Sequence, residues 1–473
     1  MNWIYRLKRE FLVSFSSRGF YEKYRSRSLP GLLQVFFFIF FIPLAFLYCI
    51  GATFSCYTRF VRLEKCARTS RGTLAKGECT KPKLISIGNI AVGGRGKTPV
   101  TLYIAKALQR QGCHVALVMR GIGRDKSTNS HNKTPPAWTK QLASQNACLV
   151  PNISIGEETT KTLDDTYRHA VNFFGDEAVM CASELGSNCV VIAPKDRLAG
   201  MKYVSGLLKP DVILFDDALQ CHQINMDLNI VLLGPFDLWP TLPVLSFLRY
   251  LPWGTQRIAS SFLCKTDYIL FQNHFPNPSS NKQGLVFNDC FTELQKRAAQ
   301  EPALALLMQT EKYSEFSYQP LFFSQIESTN TSNPCLLKLQ RWELQEWCLE
   351  IKNKHVAAVC AIANPASFLE TLKLIGCNLT KTFVLPDHGL STSSEWRALC
   401  QQAYNRGITH IVITEKDATK LKAQLQVMAE FPALKFFSLH IQLQCGSGLD
   451  NFLSAFVRDI DSTADAAGEC THL

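Results

Sequence analysis

The sequence predicts an α/β protein: a parallel sheet with helices on both faces, a smaller second α/β domain after it, and an apolar, membrane-suited helix before it. Three observations carry that reading. Short apolar runs alternate with stretches of helical spacing from Pro82 to Phe271 and again from His355, the alternation that builds parallel sheets from βα units. One early run leads into a glycine-rich loop that ends in Gly96-Lys97-Thr98. No charged residue occurs between Ser28 and Thr58.

The N-terminal region, residues 1–80, carries 13 Lys/Arg against 4 Asp/Glu, so +9 of the chain's net +11 lies there. Charge gathered around a greasy segment suits an anionic lipid surface; a nucleic-acid binder would carry it on the folded domain. The segment, about 31–54, includes Val35–Ile50 and can supply the ~20 apolar residues of a bilayer span. Pro43 would kink it, which also suits a shallowly inserted element. Basic residues lie on both sides of it, so they set no orientation.

The first α/β core is expected over 81–272. Its strands are Leu84–Ile87, Val115–Met119, Val190–Ala193, Val212–Phe215, Ile230–Leu233 and Tyr268–Phe271, with a polar insertion near 125–145. A linker or insertion is expected over 273–335, rich in Asn, Ser, Thr and Pro near both ends. The second α/β domain follows over 336–473, with strands at Val356–Ile362, Thr382–Leu385, His410–Thr414 and Phe436–Gln442. The 473 residues suffice for two sizeable cores, and 47% hydrophobic content excludes a disordered chain. Eighteen cysteines show no Cys-x-x-Cys pair or zinc spacing, so they read as buried thiols in a reducing compartment.

The loop after the first strand reads Ala91-Val92-Gly93-Gly94-Arg95-Gly96-Lys97-Thr98 and opens a helix at Pro99. Strand, glycine-rich loop, Gly-Lys-Thr and helix make the layout of a P-loop, whose backbone N–H groups and helix dipole cradle phosphate. The fold is therefore P-loop NTPase-like. Lys97 would reach the β/γ-phosphates of ATP and Thr98 would ligate Mg²⁺. Ala91 stands where the motif usually has its first glycine. The run Val212–Phe215 ends in Asp216-Asp217, a Walker B pattern that puts a carboxylate beside the P-loop for Mg²⁺. Asp176, in Gly175-Asp176-Glu177, could take a proton from a substrate hydroxyl, although Gly-Asp-Glu at a helix start is also an ordinary cap. Asp387-His388 and Thr414-Glu415-Lys416-Asp417 each follow a strand and would share one edge of the second domain.

Together these blocks resemble the tetraacyldisaccharide 4'-kinases, the lipid A 4'-kinases, which characteristically lack the first Walker A glycine. Arg120-Gly121-Ile122-Gly123, Asp196-Arg197, Asp216-Asp217-Ala218-Leu219-Gln220, Leu251-Pro252-Trp253-Gly254 with Arg257, and Ala363-Asn364-Pro365 continue the resemblance in order. The chain departs at Ala218, where the family has Gly; at Cys221, which separates Gln220 from His222; and at Gly234, where an acid commonly ends the strand. The resemblance implies transfer of phosphate from ATP to the 4'-hydroxyl of a lipid-linked glucosamine disaccharide, at the cytoplasmic face of the inner membrane. Asp176 and His388 would activate the hydroxyl from two domains, and Arg257 would assist at phosphate. Thr98, Asp216 and Asp217 would hold Mg²⁺. No nucleic acid and no obligate protein partner is expected. Another membrane-associated P-loop NTPase, or a catalytically silent nucleotide-binding module, would share many of these residues.

Overall fold

The computed structural model describes residues 43–58, 82–120, 148–150, 161–272 and 312–469, apart from short breaks at 187–188, 194–195, 222, 235–236, 238–246, 248–249, 252–254, 260–261, 264–265, 332, 353, 388, 390–391 and 423. The 125–145 insertion, His388 and the Pro252–Gly254 block thus lie outside the described residues.

The first half is built on β1 (Lys83–Asn89), β2 (Val115–Met119), β3 (Cys148–Val150), β4 (Val190–Ile192), β5 (Val212–Asp216), β6 (Leu228–Leu233) and β7 (Tyr268–Gln272). β8 (Tyr313–Thr331) and β9 (Asn333–Glu343) form a long hairpin, and β10 (Val356–Cys360), β11 (Leu379–Val384), β12 (His410–Thr414) and β13 (Lys435–Cys445) build the second half. Among the described residues all thirteen strands belong to one sheet, in the order β11-β10-β12-β13-β8-β7-β6-β1-β5-β2-β4-β3, with β9 on β8. β8 is the joint. Its start runs parallel to β7, and its middle runs antiparallel to β13 from Phe316↔Cys445 to Ile326↔Phe436. Strand thus begins at Tyr313 within the stretch expected to link the two domains.

The strands of the first half are buried on both faces, so consecutive side chains enter different cores. Val115, Leu117 and Met119 join one cluster while Ala116 and Val118 join another. The first is covered by α1 (Lys97–Arg110), α2 (Lys161–Phe174) and α3 (Asp176–Leu185), the second by α4 (Arg197–Leu208). In the second half α5 (Leu344–Glu350) and α6 (Pro365–Leu374) cover one face. α7 (Ser393–Tyr404), α8 (Glu415–Lys422) and α9 (Leu425–Glu430) cover the other. α10 (Ser447–Glu469) returns to the first core through Leu449 and Leu453. The described cysteines are free thiols, with Cys181, Cys360 and Cys400 among those buried.

The membrane-spanning helix expected over about 31–54 is not found: among the described residues no helix is long and apolar enough to cross a membrane. Residues 43–58 are helical. The earlier part of that stretch lies outside the described residues. This helix packs on the protein, burying Cys56 with Ile90, Leu219 and Phe262 and setting Phe46 edge-on to Phe247.

Candidate active site

β1 lies between β5 and β6, so its C-terminal end opens onto the crevice where the strand order reverses, the usual ligand position in such sheets. Asn89, fully buried, ends β1, and the loop 90–96 leads to α1, whose N-cap Gly96 is left-handed at φ 72°. Glycine is required there twice over: a Cβ would lie 1.5 Å from the Tyr318 hydroxyl of β8. Lys97 and Thr98 open α1, where free backbone N–H groups and the dipole favour an anion.

The side chains of this loop converge with those at the end of β5. The Lys97 Nζ donates to Asn89 Oδ1 at 3.1 Å and lies 3.8 Å from Asp217. Thr98 Oγ1 is 3.4 Å from Asp216 Oδ2, and Thr101 Oγ1 is 3.5 Å from Oδ1. Arg257 donates to Asn89 Oδ1 at 2.9 Å and grips both carboxylate oxygens of Asp217, while Arg120 stands 3.9 Å away. Asp217 has φ 51°, a left-handed conformation that Asp tolerates better than most residues.

The neighbouring carboxylates are tuned apart. Burial pushes the Asp216 carboxyl up to about 6, against the pull of Lys97. Burial also raises Asp217, but hydrogen bonds from Arg257 and the charges of Lys97 and Arg120 outweigh it and hold the group at about 2. Asp217, expected with Asp216 to hold a cation, is thus taken up by basic side chains. A folded-state value above the ordinary 3.8 makes the folded protein the better proton binder. Asp216 therefore costs the metal-free protein stability as pH rises from about 4 to about 6. We expect Asp216→Asn, in chelator at pH 7–8, to stabilise the fold by about 1–3 kcal/mol and to flatten stability across that window. Thermal melts against pH check this; equal slopes for variant and wild type would contradict it.

α3 brings two further acids. Glu177 lines a depression with Met119, Arg120, Arg197, Asp216 and Asp217. Asp176 is 2% exposed, its Oδ1 accepts from the Glu177 N–H at 3.0 Å, and its Oδ2 lies 3.4 Å from Lys420 of α8. Lys416, one turn earlier, bridges Glu177 at 2.8 Å and Asp387 at 3.0 Å. Burial disfavours its charge, but Glu177, Asp176 and Asp387 outweigh that and hold it protonated. Lys420 and Lys416 thus link the start of α3 to the turn at Asp387 and Gly389; His388, expected to act with Asp176, lies outside the described residues.

Comparison with known proteins gives this geometry a family. The model of the Tetraacyldisaccharide-1-P 4'-kinase family matches residues 45–144 and 156–458. The chain belongs to that family. Similar curated relatives are the tetraacyldisaccharide 4'-kinase of Chlamydia muridarum, 27% identical over 346 residues (73% of this chain, 74% of the relative), and that of Desulfotalea psychrophila, 26% identical over 375 residues (79% and 88%). The fold resembles the crystal structure of LpxK from Aquifex aeolicus in complex with ATP, at 19% identity and a TM-score of 0.50, covering 88% of this chain and 97% of that one.

Within the 4'-kinase framework, the departure at Gly234 has a physical account. The guanidinium of Arg95 occupies the space over Gly234, where a Cβ would come within 2.9 Å of it. Arg95 is paired there with the fully buried carboxylate of Asp237, which also accepts the Gly234 N–H at 2.8 Å. Arg197, matched above only as part of the block Asp196-Arg197 and without a role, donates through its guanidinium to the carbonyls of Val118 and Asp216 and so fixes the ends of β2 and β5. Asn89, which sets both Lys97 and Arg257, carries no motif of its own. Its position at the end of β1 was the available signal.

Proposed function

We infer that this protein transfers the γ-phosphoryl group of ATP to the 4'-hydroxyl of a tetraacyl glucosamine disaccharide in lipid A assembly. The observation that carries the reading is the meeting of Lys97 and Thr98 with Asp216 and Asp217 at the sheet's switch point, in a chain of the 4'-kinase family. The 4'-oxygen attacks the γ-phosphorus, the bond to the β,γ-bridging oxygen breaks, ADP leaves, and the hydroxyl proton passes to Asp176 acting with His388. Lys97 neutralises charge on the transferring group, and Arg257, held by Asn89 and Asp217, faces the same loop. Ala91 to Gly96 supply backbone donors for the phosphates.

Thr98 and Asp216 fit a magnesium ion. A hydroxyl adjoins a buried carboxylate whose raised pKa signals poorly compensated charge. Magnesium completes its shell with water and phosphate oxygens, so a larger protein cluster is not needed. Bound there, it would offset charge on the β- and γ-phosphates.

The acceptor carries acyl chains, and the helix 43–58 suits a membrane surface. Leu47, Ile50, Phe54 and Tyr57 are exposed on it, while Tyr48 lies within electrostatic reach of Arg257. An apolar face beside the catalytic loop lets the enzyme work at the cytoplasmic face of the inner membrane, on a hydroxyl at the lipid surface. The test is incubation of purified protein with ATP and the disaccharide acceptor, with mass analysis. One added phosphate on the acceptor is expected; ADP release with an unmodified acceptor would overturn the reading.

A further inference from the structure

The block Thr414-Glu415-Lys416-Asp417 and the lysine that follows it have no part in the transfer described above, yet they reach the start of α3. Lys420 is 5% exposed, and its ammonium makes two hydrogen bonds and, with a third group, an ion pair. It meets the Gly389 carbonyl at 2.9 Å, Asp417 Oδ1 at 3.2 Å and Asp176 Oδ2 at 3.4 Å. Asp417 is itself fixed, accepting from the Ala361 N–H at 2.9 Å and the Thr414 hydroxyl at 2.8 Å. One acceptor of Lys420 therefore belongs to the P-loop half and two to the second half. Lys416 repeats the pattern on the same helix face, between Glu177 and Asp387.

We propose that Lys420 is a positioning residue for phosphoryl transfer: its ammonium holds the Asp176 carboxylate, and ties it to the turn at Gly389, so that the base is set only when the two halves are joined. A carboxylate this buried needs a counter-charge to remain ionised. A compact ammonium on a flexible stem can hydrogen-bond two segments and face the carboxylate of a third at once. Lys420 touches neither phosphate loop nor nucleotide machinery, so it acts through Asp176. The proposal rests on the 4'-kinase reading.

The test is a double-mutant cycle of Lys420→Met and Asp176→Asn. Lys420→Met is expected to leave ATP affinity unchanged and to lower kcat about 10²-fold, within the range of a disabled base. The double variant should be no slower than Asp176→Asn alone, because the lysine acts through that carboxylate. Near wild-type kcat in Lys420→Met, losses that multiply in the double variant, or an equal loss of ATP affinity would each overturn the proposal. If Lys420→Met does not fold, Lys420→Arg, which keeps the charge and misplaces it, takes its place in the cycle with an expected loss of about 10-fold. The same cycle measured by thermal melting needs no acceptor. A wild-type protein that fails to phosphorylate the disaccharide would sink the 4'-kinase reading, while additive melts would separately sink the Lys420–Asp176 contact.

Discussion

Lys97→Ala is expected to lower phosphoryl transfer by about 10²–10³-fold, the loss typical of one preorganised donor at the transition state. Three features of the site set that size. The ammonium starts α1, where it adds to the helix dipole at the same anion. It is aimed by Asn89, whose position at the end of β1 is fixed by pairing on both sides of that strand. And its charge is only partly offset, since Asp217 lies 3.8 Å from it and is gripped more closely by Arg257. The fold should persist. Lys97 lies outside the packed core of α1, which rests on Val100, Ile104 and Leu108, and Asp217 keeps Arg257 and Arg120 as partners. Steady-state kinetics with ATP and the disaccharide, alongside a thermal melt, check both halves. Near-normal kcat with an unchanged melt would remove Lys97 from the mechanism.

The strands that position this site were legible because they are short, apolar and flanked by turns. Leu84–Ile87 and Val212–Phe215 announce β1 and β5, and the glycines and Pro99 between strand and helix announce the turn into α1. The hairpin of β8 and β9 was not legible. Tyr313–Thr331 mixes Ser, Glu, Gln and Asn with its aromatics, and Pro320 argues against a paired strand. Pro320 is accommodated where it pairs with Ile441, beside the register shift between His440 and Ile441. β3 was missed for a different reason: three residues form too short a pattern to read. Within the site, single residues could be named but not their partners. Nothing local in Gly175-Asp176-Glu177 says that α8 of the second half will supply two lysines, and nothing in Arg95 says that Gly234 leaves room for it. Those are contacts between segments far apart in the chain, and only the joined sheet brings them together.

The same joining makes Asp176→Asn the other variant with a large expected effect. Asparagine keeps the shape of the side chain, so the backbone of α3 and the Glu177 contacts to Lys416 should survive. Lys420 retains Asp417 and the Gly389 carbonyl, so its charge is not left unpartnered in the interior. What is lost is the ability to take a proton. A general base contributes about 10²–10⁴-fold, and kcat should fall within that range while ATP affinity stays unchanged, because the phosphate loop and Asp216 are untouched. An alternative role for Asp176, as a cap at the start of α3, makes a different demand: loss of the cap would lower the melting temperature and disturb ATP binding through the packing of α3 on α1, with no selective fall in kcat. Gly175, not Asp176, occupies the N-cap position, which favours the chemical role. Measuring kcat, ATP affinity and melting temperature together separates the two. A variant that melts early and binds ATP poorly, yet turns over normally at saturation, would assign Asp176 to the fold; one that binds ATP as wild type does and transfers no phosphate would assign it to the reaction.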